Sequence, residues 1–281
     1  MTDLYDFLIA GGDLRMKYLD SLLTEAGYKV KRIFSGEKEQ NLCGCSAKQI
    51  IFPVPCCTSD GNLNAPFSDT PVTPLEIIEK VKGCKTVFGG MLTDRLCQVC
   101  IEKGLRYIDY MKCEPLTIKN AEATAEGAVK CAIENTDFVL CSSKILVTGY
   151  GRIGKILSRY LKAFGADVTV EARKTEDLAW IKANGYKPLH LSELEKSLPN
   201  FDIIFNTVPY HIFTQREAEK INKDALYIEL ASLPGGIDES AAQRCNIRIV
   251  KAPSLPGKTA PKTSAEAIKD AVLGSLKEAE V

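Results

Sequence analysis

The sequence predicts a two-lobed α/β protein whose parallel sheets are covered by helices on both faces. Three observations carry this. Strand-like and helix-like segments alternate along most of the chain, a glycine-rich turn joins a strand to a helix near its middle, and 281 residues exceed what one core of ordinary size needs. Hydrophobic content of 45% and charged content of 26% are those of a globular protein. The 36 basic residues balance 36 acidic ones, so no long-range field draws nucleic acid or an anionic membrane. No apolar run approaches the ~20 residues of a membrane span. The opening MTDLYDFLIAGGD has neither a basic leader nor a small-residue cleavage site, which leads to the expectation of a cytoplasmic protein.

Taken in order, DFLIAGG is an apolar strand ending in a glycine turn, and LRMKYLDSLLTEAGY is a helix closing near Gly27. KVKRIF, QIIFPVP, CKTVFGG and RYIDY follow as strands, with TPLEIIEKVKG and TDRLCQVCIEKG as helices between the later ones. Residues 58–74, rich in Gly, Asn, Pro, Ser and Thr, are long for a connection and read as a functional loop. NAEATAEGAVKCAIENTD is a strong helix that bridges two lobes. KILVT, a glycine turn, KILSRYLKAFG and DVTVEARK then give strand, turn, helix and strand. LAWIKANG continues as a helix, FDIIFNTVP, ALYIELASLPGG and IRIVKAP as strands, and KTSAEAIKDAVLGSLKEAE as a terminal helix. The predicted division is an N-terminal α/β substrate domain over 1–118, a bridging helix over 119–139 and a second α/β domain over 140–261. The helix over 262–281 folds back to complete the first.

The 11 cysteines raise the question of metal. They include the pairs Cys43/Cys45, Cys56/Cys57 and Cys97/Cys100, and only Cys97-x-x-Cys100 has zinc-site spacing. Its three-residue step on a helix puts both thiols on one face, where they read as small buried hydrophobes. No metal is expected, and the odd count points to reduced thiols.

The segment Gly149-Tyr150-Gly151-Arg152-Ile153-Gly154 carries the chemistry. It follows a strand, opens a helix and is followed by a second strand, the context that the dinucleotide-binding Rossmann fingerprint requires. Gly149 allows the tight turn, Gly151 lets a pyrophosphate approach the backbone, and Gly154 lets the helix pack on the sheet. The helix N-terminus offers N–H groups to the phosphates. The fingerprint expects an acid some 20 residues on to take the ribose 2′-OH, and Glu171 qualifies by count. Strand alternation, however, puts Val168, Val170 and Ala172 on one face and Thr169 and Glu171 on the other. The segment resembles the NAD-binding stretch of adenosylhomocysteinase and the 2-hydroxyacid dehydrogenases, and a gap-free alignment sets the ribose acid at Ala172. A small neutral residue followed by Arg173 and Lys174 leaves room and positive charge for a 2′-phosphate. NADP is therefore favoured over NAD. The plainer readings are a solvated loop for Arg173 and Lys174 and an exposed strand end for Glu171.

Three further turns end strands on the side where ligands bind an open α/β sheet: Asn206-Thr207-Val208-Pro209, Ser232-Leu233-Pro234-Gly235-Gly236 and Ser254-Leu255-Pro256-Gly257-Lys258. Thr207, Val208 and Pro209 are placed with the cofactor, and Ser232, Pro234 and Gly235 with the substrate.

IAGGDLR, NAEATAEGAV, GYGRIGK, ELASLPGGID and APSLPGKTAPKTSAEAI together resemble the A subunit of dipicolinate synthase, nearly end to end. That resemblance implies a two-lobed fold, an NADP-type cofactor and a partner, the flavoprotein-like B subunit. It also implies formation of pyridine-2,6-dicarboxylate from a dihydrodipicolinate-level precursor, in the mother cell of a sporulating bacterium. Such a reaction removes a hydride from one ring carbon and a proton from its neighbour, and the protein must orient two carboxylates. Arg15, just past Gly11-Gly12, is a candidate carboxylate fork. Lys262, Thr263 and Ser264, at the start of the last helix, are candidates for the second carboxylate. Glu126 and Asp13 are candidate bases or orienters. Asp13 also reads as a helix cap, and Glu126 as an i,i+4 partner of Lys130. His211 is a candidate proton shuttle, His190 a weaker one. The competing functions are another NAD(P) dehydrogenase of the 2-hydroxyacid type and a nucleotide-binding regulatory protein. Homo-oligomerisation is left open.

Overall fold

The computed structural model describes residues 4–36 and 45–278. Cys43, of the Cys43/Cys45 pair, lies outside the described residues. The chain forms two compact units, Met1–Lys119 with Ala260–Val281, and Asn120–Thr259.

In the first unit the elements are β1 (Leu4–Ala10), α1 (Leu14–Glu25), β2 (Val30–Ile33), β3 (Ser46–Ile51), α2 (Pro74–Lys80), β4 (Thr86–Gly89), α3 (Asp94–Glu102) and β5 (Arg106–Asp109). The strands pair in parallel in the order β2-β1-β3-β4-β5. A parallel sheet is covered on both faces, which explains why DFLIA is a continuous apolar run rather than an alternating one. Phe7 and Ile9 face a cluster with Leu19 and Leu23 of α1 and Ile268 and Val272 of the chain's last helix, Pro261–Lys277. Leu8 and Ala10 face the opposite cluster with Ile50, Ile77 and Leu96. The C-terminal helix thus packs beside α1 and closes one face of this sheet.

Helix α4 (Glu114–Glu134) carries the chain into the second unit. It begins before the predicted residue 119, because Pro115 fits its first turn and Leu116 is buried in the first unit's core. The second unit contains β6 (Lys144–Thr148), α5 (Arg152–Ala163), β7 (Asp167–Ala172), α6 (Thr175–Ala183), β8 (Lys187–His190), α7 (Leu194–Ser197), β9 (Ile203–Asn206), α8 (Gln215–Ala218), β10 (Leu226–Glu229), α9 (Glu239–Arg244), β11 (Arg248–Lys251) and α10 (Leu255–Thr259). Its parallel strands run β11-β10-β9-β6-β7-β8, the doubly wound order with its reversal at β6 and β9.

Two features depart from the sequence reading. KPLH forms an edge strand that the periodicity does not reveal, since only Leu189 of its four residues is buried and Pro188 is tolerated at an edge. The stretch after β11 is not a simple turn: Leu255–Thr259 is a short helix with Leu255 and Gly257 buried. Gly257 and Pro256 suggest a turn by propensity, but the burial of Leu255 against the core of the second unit overrides it.

Because Ile268 is buried in the first unit's core, Ile268→Ala should lower that unit's unfolding free energy by about 2–5 kcal/mol in a urea titration.

Candidate functional site

The second unit builds a groove at the carboxyl ends of β6, β7 and β9. Gly149 follows β6 with φ of +85°, a conformation that only glycine adopts without strain. A Cβ on Gly154 would collide with the Gly149 carbonyl oxygen, whereas one on Gly151 would meet nothing within 4 Å. Gly154 therefore serves the packing of α5 on the turn, while Gly151 keeps the backbone open to a ligand. Gly151 is the N-cap of α5 and no side chain caps that helix end. The first N–H groups of a helix have no intrahelical acceptor, so this end fits a phosphate.

A groove of about 400 Å³ is lined by Gly149, Tyr150, Gly151, Ala172, Arg173, Lys174 and Val208, among others. Arg173 and Lys174 are exposed, and Ala172 shares the core face of β7 with Val168 and Val170, beside Leu157 and Leu161 of α5. Arg152 is exposed and Ile153 half-buried at the start of α5. Thr207 binds the turn from the other side of the sheet's reversal: its N–H and Oγ1 both donate to the Thr148 carbonyl, at 3.2 and 2.7 Å. Val208 is half-buried and Pro209 exposed.

Glu171 corrects the expectation of an exposed strand end. Only 2% of it is exposed, and it also lines the groove. Its Oε2 accepts from the Gly149 N–H at 3.3 Å, while Gly149 also donates to the Glu171 carbonyl at 3.0 Å. Burial pushes its pKa up, against the opposing effects of the Gly149 hydrogen bond, Arg173 and His190. β7 is not an edge: β8 pairs along it with Leu189 in register with Glu171, and this is the strand that the sequence does not reveal.

The loop Ser232–Gly236 follows β10. Ser232 and Pro234 are exposed, Leu233 at the tip is 89% exposed, and Gly235 is buried with φ of +85°. The base of this loop is held by Glu229 and Asn206, neither of which the sequence reading singles out as a functional residue. Their signal was weak, a polar residue at the last position of each of two apolar strands.

In the first unit, β1 ends in Gly11 and Gly12, both at positive φ. The long loop reaches this turn, since Gly12 N–H donates to the Asn64 carbonyl at 2.8 Å and a Cβ on Gly11 would lie 2.8 Å from Leu63. Asp13 caps α1 by accepting from Arg15 N–H at 3.0 Å. It also receives the Arg15 fork, with Nε at 2.9 Å and Nη2 at 2.8 Å. Nη2 donates in addition to the Val54 carbonyl at 2.7 Å. Asp13 is thus a cap and an orienter of a buried guanidinium, and two nitrogens of the predicted carboxylate fork already hold a carboxylate. A cavity of about 220 Å³ opens beside the turn, lined by Gly11, Gly12, Asp13, Lys17 and Arg32, among others. Lys17 and Arg32 escaped the sequence reading because only the fold brings them to the lining of one cavity with the glycine turn.

Lys262 and Thr263 are exposed on the first turn of the last helix, and Ser264 is buried. Glu126 is exposed on α4, and Lys130 pairs at 3.6 Å with Glu134 rather than with Glu126, both being i,i+4 options on that face. His211 is exposed, and His190 Nδ1 accepts from Ser192 N–H at 3.3 Å as a cap. Among the described residues, no three His, Cys, Asp or Glu side chains converge as a metal site. No helix among them is long and apolar enough to cross a membrane.

Residues 6–111 match the family model for the N-terminal domain of the dipicolinate synthase A subunit. The A subunit of dipicolinate synthase from Bacillus subtilis (strain 168) is 30% identical over 280 residues, 95% of this chain and 94% of that protein. The chain belongs to the family of dipicolinate synthase A subunits. Residues 121–239 match the NAD binding domain of D-isomer specific 2-hydroxyacid dehydrogenases, so the second unit is a dehydrogenase-like NAD(P)-binding domain. The crystal structure of the dipicolinate synthase A subunit from Bacillus halodurans superposes with a TM-score of 0.84 at 29% identity, covering 96% of this chain and 97% of that one. The crystal structure of its Bacillus subtilis counterpart gives 0.84 at 27% identity, covering 100% and 98%. A transhydrogenase from Sinorhizobium meliloti shares the fold at a TM-score of 0.72 and 12% identity, over 97% of this chain and 92% of that one.

Glu171 gives a pH test. Its carboxyl pKa is raised in the folded state, so the fold loses stability as pH rises through and above the ordinary carboxylate range. Glu171→Gln removes the charge and keeps an acceptor for Gly149. It should raise the thermal midpoint at pH 7–8, with the gain vanishing below about pH 4, followed by circular dichroism across that range.

Proposed function

We propose that this chain is the A subunit of a dipicolinate synthase. On this reading it oxidises dihydrodipicolinate, or its hydroxylated tetrahydro precursor, to dipicolinate with NADP⁺. It works with a flavoprotein-like B subunit, in the cytoplasm of a sporulating mother cell. One observation carries the cofactor choice: Ala172 stands at the end of β7, with exposed Arg173 and Lys174 lining the same groove as the fingerprint glycines. A methyl side chain leaves room for a 2′-phosphate, and two cations attract it.

The cofactor supplies the hydride acceptor. The residues of this chain bind and orient. Gly149 makes the turn at positive φ, its own N–H being held by Glu171, so that Tyr150, Gly151, Arg152, Ile153 and Gly154 present backbone N–H groups to the diphosphate, and Thr207, Val208 and Pro209 flank it. For the substrate, Ser232, Pro234 and Gly235 are assigned as contacts in the second unit. In the first unit, Arg15 is assigned to one carboxylate through Nη1 alone, since Nε and Nη2 are held by Asp13 and the Val54 carbonyl. Lys262, Thr263 and Ser264 at an uncapped helix start are assigned to the other. Glu126, an exposed carboxylate, is the assigned base for the ring proton, and fixed positioning supplies much of the rate.

The purified chain mixed with NADP⁺ and dihydrodipicolinate should raise absorbance at 340 nm, either by itself or once the B subunit is supplied. No NADPH under either condition rejects the reading. Arg173→Ala should weaken NADP⁺ binding by on the order of 1.5–3 kcal/mol and leave NAD⁺ nearly unchanged in calorimetric titrations. Equal losses for both cofactors would reject the 2′-phosphate contact.

A further inference from the structure

Three strand ends of the second unit meet in one buried polar chain. Thr148, Asn206 and Glu229 are the last residues of β6, β9 and β10 and lie in register across these adjacent strands. Thr148 and Asn206 are fully buried and Glu229 is 9% exposed. Thr148 Oγ1 donates to Asn206 Oδ1 at 2.6 Å, and Asn206 Nδ2 donates to Glu229 Oε1 at 2.6 Å. The amide orientation follows from its neighbours. Val208 N–H, an obligate donor, meets Oδ1 at 3.2 Å, while the Val208 carbonyl accepts from Nδ2 at 2.9 Å.

The Glu229 carboxylate is equally committed. Oε1 also accepts from Ala231 N–H at 3.0 Å, and Oε2 from Gly236 N–H at 2.8 Å and Tyr227 OH at 3.3 Å. The two ends of the Ser232–Gly236 loop therefore hang on one carboxylate, and the Asn206–Pro209 turn hangs on the amide bonded to it. Gly236 fits no larger residue, because its Cβ would lie 2.6 Å from Asn206 Oδ1 and closer still to that side chain's Cγ and Nδ2. Buried charge-assisted networks of this kind hold one geometry when every member is satisfied.

A dinucleotide laid across the strand reversal runs from the ribose end at β7, over the glycine turn, to the side of β9 and β10. We infer that Glu229 is a positioning residue: through Asn206 and the Gly236 and Ala231 amides, it sets the two turns that receive the nicotinamide half of the cofactor. This rests on the dinucleotide reading above and deepens it. It assigns the adenine half to the β7 end and the reactive half to a lock that no cofactor atom needs to touch.

Glu229→Gln puts an NH₂ among donors that require an acceptor, so the lock opens while volume is kept. NADPH affinity should fall about tenfold, the affinity for adenosine 2′,5′-bisphosphate should stay within about twofold, and kcat should fall about 100-fold. Amide hydrogen exchange at Ala231 and Gly236 should accelerate in the same variant without change in α5. Glu229→Asp, which keeps the charge, should recover part of kcat. Gly236→Ala leaves the carboxylate intact and wedges the loop off Asn206, so it should reproduce the split between NADPH and adenosine bisphosphate even if Glu229→Gln does not fold. Retention of wild-type kcat and of the wild-type affinity ratio in the folded variants, or equal loss of both ligands, overturns the lock. Failure of the wild-type chain to bind either ligand overturns instead the dinucleotide reading.

Discussion

The approach of Gly154 to the Gly149 carbonyl oxygen is the contact on which the second unit turns. No side chain fits there, so α5 starts close enough to β6 for its N-terminus to face the open end of the sheet. The pairing of β6 with β9, Thr148 beside Asn206, sets Thr207 within hydrogen-bonding distance of the Thr148 carbonyl and ties β9's turn to β6's turn. The groove along Ala172 and Arg173 is lined by residues of both turns, Gly149 to Gly151 and Val208. A methyl group at position 154 would separate helix from strand and open all of it.

Around that contact the unit keeps its polar groups at strand ends, where buried carboxylates find backbone donors. Glu171 takes the Gly149 amide and Glu229 takes two loop amides, each just inside a parallel sheet whose interior is apolar. The first unit follows the same rule with different chemistry. Asp13 caps α1 and holds Arg15 beneath the Gly11–Gly12 turn, so a buried guanidinium is compensated before any ligand arrives. Uncompensated, such charges would cost several kcal/mol each. Compensated, they hold loop geometry.

Much of the architecture was legible. Apolar runs bounded by glycine turns located nearly every strand, and the fingerprint's strand–turn–helix context located the dinucleotide-binding unit. Edge strand β8 was not legible, because one buried leucine in four residues leaves no period to read. Its absence from the sequence reading left Glu171 looking exposed. The glycine fingerprint, with Arg173 and Lys174, was legible because backbone chemistry dictates those residue types in that order. Asn206, Glu229, Lys17 and Arg32 were not, because their roles arise from neighbours that are distant along the chain.

By itself, then, the sequence determined the two-lobed α/β plan, the glycine turn that only small residues can make, and the family to which the chain belongs. Local sterics and apolar burial act over a few residues and leave their mark in order and composition. The tertiary structure alone decided which acids are buried, that Asp13 already occupies the Arg15 fork, and that one carboxylate holds both ends of a loop. Those outcomes depend on strand register and on what covers each strand end, and both come from pairing across long separations.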